Sequence, residues 1–155
     1  MTTNEQLNRR DVPDRYRYSV IPHVMVDGAA AAIDFYAEAF GAKELFKLQA
    51  PDGQVMHAEI EINGSALMLG DAAGVFTSPS GAGGPSVALH VFVDDVDALA
   101  DRAVTAGAEL LQPPTNMFHG DRTAILRDPY GHVWVFLTHL EDVSPEEIVR
   151  RAAMV

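Results

Sequence analysis

Short runs of apolar residues, alternating with polar ones or set at helical spacing, recur along the chain, and most of them stop at a glycine, proline, asparagine or aspartate. Residues 20–26 (VIPHVMV) are mostly apolar and end at Asp27-Gly28, which reads as a strand and its turn. Residues 29–40 set Ala29, Ala32, Ile33, Tyr36 and Phe40 at helical spacing, and Gly41 supplies the left-handed residue that ends a helix. A second strand over 43–48 closes at Pro51-Asp52-Gly53. In 54–62, Met56, Ala58, Ile60 and Ile62 fall on one face and His57, Glu59 and Glu61 on the other. The hairpin pair Asn63-Gly64 then leads into 66–69, so the first half reads βαβββ.

The pattern starts again after residues 72–86 (AAGVFTSPSGAGGPS), which have no periodicity and read as a linker or mobile loop. A strand over 87–93 is followed by an amphipathic helix over 96–106 that ends at Gly107. A short strand over 109–112 is expected to stop at Pro113-Pro114. Residues 123–126, the turn Asp128-Pro129-Tyr130-Gly131 and residues 132–138 form a closing hairpin. One offset of 67 residues maps Val26-Asp27 onto Val93-Asp94, His23 onto His90 and Gly64 onto Gly131. Gly41 and Gly107 need one gap, and the shared offset marks an internal repeat.

The fold class read from this order is α+β, with two tandem βαβββ modules over 18–71 and 87–140. The polar leader, 1–17, holds too few apolar residues to pack alone and reads as a flexible arm, or one laid on a partner subunit. Within 141–155, Ser144-Pro145-Glu146-Glu147 forms a capping box that opens a short final helix.

Composition narrows the function classes. The 155 residues carry 11 Lys+Arg against 22 Asp+Glu, a formal charge of −11, so nucleic acid and anionic membranes are repelled over most of the surface. The absence of cysteine excludes disulfides, thiolate catalysis and cysteine-held metals, leaving His, Asp and Glu as ligands. No apolar run reaches the ~18 residues of a membrane span, and the first residues lack a signal-peptide core, so a cytoplasmic location is expected. No Gly-rich loop joins a strand to a helix and no nucleophile elbow occurs, which argues against nucleotide or S-adenosylmethionine sites and serine-hydrolase chemistry.

The wording of the repeats is more specific. Ala32-Ile33-Asp34-Phe35-Tyr36 with Ala39-Phe40-Gly41-Ala42, Val93-Asp94-Asp95-Val96-Asp97, Pro113-Pro114-Thr115-Asn116-Met117-Phe118, Gly120-Asp121-Arg122, Arg127-Asp128-Pro129-Tyr130-Gly131-His132 and residues 141–147 resemble the vicinal oxygen chelate superfamily. That superfamily includes glyoxalase I, bleomycin and fosfomycin resistance proteins and extradiol dioxygenases, and these motifs are similar to its PhnB-like branch. The resemblance spans residues 18–152. It implies curved mixed sheets around a cavity, commonly with a divalent metal (Zn, Ni, Mn or Fe), and a homodimer. The glyoxalase-like ligand positions fall on Ile21, Met68, Ala88 and Val135, none of which binds a hard metal. A register shifted by two keeps the face and brings in His23 and His90. No carboxylate follows on the last strands, so the family's usual metal glutamate is missing, and Glu59 is the best substitute ligand.

Three sets of candidates follow. His23 and His90, with Glu59, are the metal candidates; the alternative is two partly buried histidines satisfied by backbone or water. His57 and Glu59 pair an imidazole with a carboxylate on one strand face and are the acid–base candidates; a solvated strand face is the bland alternative. The ligand-binding candidates are His23, His90, Met25, Phe92, Trp134 and Arg122, the last for its fork of donors. Met25, Met68, Phe92 and Trp134 are also ordinary core residue types. The leading reading is a protein that holds a small apolar or aromatic molecule between its modules, with a divalent metal left open. The rivals are a metal-dependent lyase, isomerase or dioxygenase and a metal-free acid–base enzyme.

Overall fold

A computed structural model describes residues 13–17 and 19–155. The expected leader therefore lies, up to residue 12, outside the described residues, and its last part forms a single turn, Asp14–Tyr16. The first module runs β1 (His23–Val26), α1 (Ala29–Phe40), β2 (Lys43–Gln49), β3 (Val55–Ile62) and β4 (Ser65–Asp71). After α2 (Pro79–Ala82), the second runs β5 (Ala88–Phe92), α3 (Val96–Ala106), β6 (Glu109–Asn116), β7 (Asp121–Arg127) and β8 (Val133–His139), and α4 (Pro145–Ala152) closes the chain. Each module is a four-stranded mixed sheet, ordered β1-β4-β3-β2 and β5-β8-β7-β6, whose first and last strands pair in parallel. No helix among the described residues is long and apolar enough to cross a membrane.

The repeat survives in the hydrogen-bond register. His23 pairs with Met68 and Met25 with Gly70, while His90 pairs with Val135 and Phe92 with Leu137. These pairs are related by the same 67-residue offset as the strand ends. One face of each sheet is buried against α1 and α3: Val24, Val26, Ala58, Ile60, Leu67 and Leu69 in the first, Ala124, Leu126, Trp134 and Phe136 in the second. Phe40 joins the two, with ring centroids 4.8 Å from Trp134 and 4.9 Å from Phe136.

Polar contacts set the modules relative to one another. Asp128 is 3% exposed, and its Oδ2 accepts the Tyr36 hydroxyl at 2.6 Å and the Trp134 indole N–H at 2.9 Å. Its Oδ1 takes the backbone N–H of Tyr130 and of His132. Burial, with Asp128 beside it, pushes the Tyr36 phenol well above its usual pKa, so this hydroxyl keeps its proton. His132 Nε2 meets the Met25 carbonyl at 2.8 Å, the Asn63 amide donates to the Phe92 carbonyl, and Arg102 of α3 donates to the Glu38 carbonyl at the end of α1.

Three elements depart from the sequence expectation. The first strand begins at His23 rather than residue 20, because Pro22 brings no N–H; only its carbonyl joins the ladder, accepting from Met68. β6 does not stop at Pro113-Pro114 but continues to Asn116. It is an edge strand, and the prolines sit in a register shift between Gln112 and Thr115 where no ladder N–H is required. Residues 72–86 fold onto the first module: Ser78 caps α2, and the Ser78 and Ser80 hydroxyls donate to Asp27 at 2.9 and 2.6 Å. α2 also presses Pro79 on Gly131, which has φ 93° and where a Cβ would sit 2.9 Å from the proline ring.

Removing the buried carboxylate strands four donors. Asp128→Ala is expected to lower the unfolding free energy by about 3 kcal/mol or more, and Tyr36→Phe by about 1–2 kcal/mol. Urea unfolding followed by Trp134 fluorescence measures both, and unchanged midpoints would remove Asp128 from the role of staple.

Candidate functional site

The faces away from the helices carry the chemistry. Alternation that buries Val24, Ala58 and Leu67 turns His23, Met25, His57, Glu59 and Met68 to the open face of the first sheet. Strand pairing sets His23, Met68, Glu59 and Phe46 in one row across it. The His23 ring meets His57 edge-on at 5.5 Å and Phe76 at 5.7 Å, and Phe46 lies 6.4 Å from His57. Met56 leaves the apolar face predicted for it and is 63% exposed, because β3 bulges opposite Leu48 and Gln49.

Glu59 is only 5% exposed, yet it sits on this open face because the chain preceding β1 lies over it. Its Oε1 accepts Arg15 Nε at 3.2 Å and the Tyr16 hydroxyl, and the Arg15 guanidinium lies 4.7 Å over the Tyr16 ring. The sequence expectation of an arm that is flexible or laid on a partner subunit does not point to Glu59, since a lone Arg-Tyr pair in a polar stretch carries no periodic signal.

A groove of about 640 Å³ lies at the seam of the modules, where residues 19–22 and the Asn63-Gly64 hairpin face β5. Arg15, Ile21, Asn63, His90, Phe92 and Trp134 are among its lining residues. Phe92 is 55% exposed, whereas Trp134 is 2% exposed and turns toward α1. His23 and Met25 line a different cavity of about 470 Å³, between β1 and residues 77–87, with the buried His132.

The ligand and metal candidates are therefore divided. His90, Phe92 and Trp134 come together at the groove, while His23 and Met25 lie at the second cavity and His57 packs on His23. Arg122 belongs to neither. It shares the helix-facing side of β7 with Ala124 and Leu126, and its guanidinium clamps Asp97 of α3 at 2.7 and 2.9 Å and Asn116 at 2.9 Å. Its position in the strand alternation sets it on the helix side rather than the open face. The trio His23, His90 and Glu59 is likewise not one metal site: the histidines line separate cavities and Glu59 Oε1 is taken by two donors. Among the described residues, no three His, Asp or Glu side chains are grouped to hold a metal ion. The donor set does not fit a Zn, Ni, Mn or Fe centre.

Of the remaining histidines, His119 and His139 both reach Asp121, and His139 also reaches Asp142 at 2.7 Å. These contacts fasten the segment after β8 to β7. Gly120 is required there, since a Cβ would strike the Glu141 carbonyl.

Burial, and then the neighbouring His57 imidazole, hold His23 below the usual histidine pKa near 6.5. Between its folded value and 6.5 the unfolded chain binds more protons, so His23 makes stability fall as pH drops through that window. In an NMR titration His23 should titrate below 6.5, and His57→Ala should return it only part of the way because burial is the larger cause. A midpoint at or above 6.5 would contradict this packing.

The family model described as "Glyoxalase/Bleomycin resistance protein/Dioxygenase superfamily" matches residues 20–136. An uncharacterised protein of Mycobacterium bovis is 41% identical over 138 residues, covering 86% of this chain and 90% of its own. Among solved structures, TioX from Micromonospora sp. ML1 superposes with a TM-score of 0.64 at 25% identity, over 81% of this chain and 99% of that one. The PhnB protein of Bacillus cereus gives a TM-score of 0.58 at 20% identity, over 77% and 98% of the two chains, a likeness of fold.

Proposed function

We propose that this chain, which belongs to the glyoxalase/bleomycin resistance protein/dioxygenase superfamily, binds a small molecule with an apolar or aromatic body in the groove between its modules, without a resident metal. The observation that carries this reading is the groove itself, whose walls combine Ile21, Leu67, Val91 and Phe92 with a few polar groups at Asn63, Ser65 and His90. Apolar walls with sparse, placed polar groups are the usual makeup of a small-molecule site, and about 640 Å³ is a typical size for one. Phe92 supplies a large exposed ring whose burial by a ligand is favourable.

The donor chemistry supports the metal-free part. The superfamily's members are often metal-dependent, but here Met68, Ala88 and Val135 stand on the strands where the resemblance places ligands, and none of them suits a hard divalent ion. The acid–base reading through His57 and Glu59 has less support, since Glu59 serves as the anchor of Arg15 and Tyr16. A homodimer belongs to the same proposal: β2 is an edge strand exposed along its length and presents Phe46 and Leu48.

N-phenyl-1-naphthylamine, a neutral apolar fluorophore, tests the groove by energy transfer from Trp134, the chain's one tryptophan. The expected outcome is saturable binding, unchanged by a chelator, that weakens about tenfold (about 1.4 kcal/mol) in Phe92→Ala. Binding that is non-saturable, or indifferent to Phe92→Ala, would refute the groove as the site. Strict dependence on an added divalent metal would restore the metal-enzyme reading.

A further inference from the structure

Charge is spread unevenly over this protein. Carboxylates outnumber basic side chains 22 to 11, so sixteen lining positions at the chain's average density would include about two carboxylates. Among the described residues the groove between the modules has none. Its polar lining consists of one guanidinium, Arg15, which only donates, with one imidazole, His90, the Asn63 amide and the hydroxyls of Ser19 and Ser65, which donate and accept. The cavity beside His23 and His132 likewise has no carboxylate in its lining, and of the two only the groove adds a guanidinium.

Arg15 is held in a defined attitude. Its Nε donates to the buried Glu59, and its central carbon lies over the ring of Tyr16, whose hydroxyl donates to the same carboxylate oxygen. Besides the Nε bond to Glu59, the guanidinium interacts with the Tyr16 side chain, and it lines the groove with 58% of the side chain exposed. A guanidinium held at Nε and over an aromatic ring offers its exposed N–H groups to an incoming acceptor at a reduced entropic cost. Glu59 anchors it from outside the groove, so the end of the ion pair turned toward a ligand is the positive one.

We infer that the groove selects ligands bearing an anionic group, such as a carboxylate or sulfonate, on an apolar or aromatic body, with Arg15 receiving the anion and Phe92 the body. This inference rests on the groove being the binding site and adds its charge preference. Arg15 acts here as a specificity-determining contact, supplied by the chain ahead of the first module.

The test uses two fluorophores that differ by a single sulfonate, 8-anilino-1-naphthalenesulfonate and N-phenyl-1-naphthylamine, each titrated into the full chain at low salt. The sulfonate is expected to bind about five- to tenfold more tightly than the neutral probe, as a partly exposed charge-assisted contact would give. Arg15→Gln should bring that ratio to about one, and Arg15→Lys should keep part of it. A ratio of one or below in the unaltered protein, or one that survives Arg15→Gln, would overturn the charge preference while leaving the groove as a site. If neither probe saturates in a Phe92-dependent way, the groove reading fails and the preference falls with it.

Discussion

The arrangement of the two modules depends on one buried carboxylate. Asp128 opens the hairpin turn between β7 and β8 in the second module, yet the Tyr36 hydroxyl that it accepts stands on α1 of the first. An Asp shut away from water is costly unless its lone pairs are filled, and four donors converge on this one. The same contacts orient Trp134 and Tyr36 against Phe40, so the aromatic core between helix and sheet takes its geometry from a polar centre. Changing the tilt of one module would break donors that have no water to replace them. The groove lies along the seam held in this way, with Trp134 as part of its lining.

How much of this was legible in the chain follows from the range of each interaction. Strand alternation, helical spacing and turn residues act over a few positions, and they marked every strand and the helices α1, α3 and α4 near their observed places. The 67-residue offset also reappears in the strand pairing, where His23 opposes Met68 and His90 opposes Val135. Asp128 itself was read as one member of an Asp-Pro-Tyr-Gly turn, which it is. Its bond to Tyr36, 92 residues away, leaves no local trace. Residues 72–86 carry no local sign of their fold for a similar reason, since what holds them is a pair of serine hydroxyls reaching back to Asp27. Pro113-Pro114 misled because proline stops a strand only where the missing N–H would have been used, and edge position cannot be read from a run of eight residues.

The candidate site was legible residue by residue but not as a constellation. Alternation correctly sets His57 and Glu59 on one face, and it equally sets Arg122 with Ala124 on the helix side, where Asp97 takes it. What alternation cannot supply is which open-face residues share a cavity. His23 and His90 occupy equivalent rungs, but residues 77–87 close over the first and the Asn63-Gly64 hairpin faces the second. Equivalent register does not produce equivalent surroundings when the connecting segments differ.

The two repeats have diverged in chemistry while keeping their ladders. The strand pairs that set Glu59 opposite Met68 in one module set Ile125 opposite Val135 in the other, so a titratable position in the first corresponds to an aliphatic one in the second. A symmetric pair of metal ligands on these rungs would need carboxylate or imidazole from both modules, and the second offers only His90. The first module, in turn, spends its carboxylate on fixing Arg15 and Tyr16. One repeat therefore contributes an apolar wall through Phe92 and Val91, and the other anchors a cation at its edge. That asymmetry is what a site for an amphiphilic small molecule requires, since body and charged group need different surroundings, and a strictly symmetric repeat would present the same surface to both.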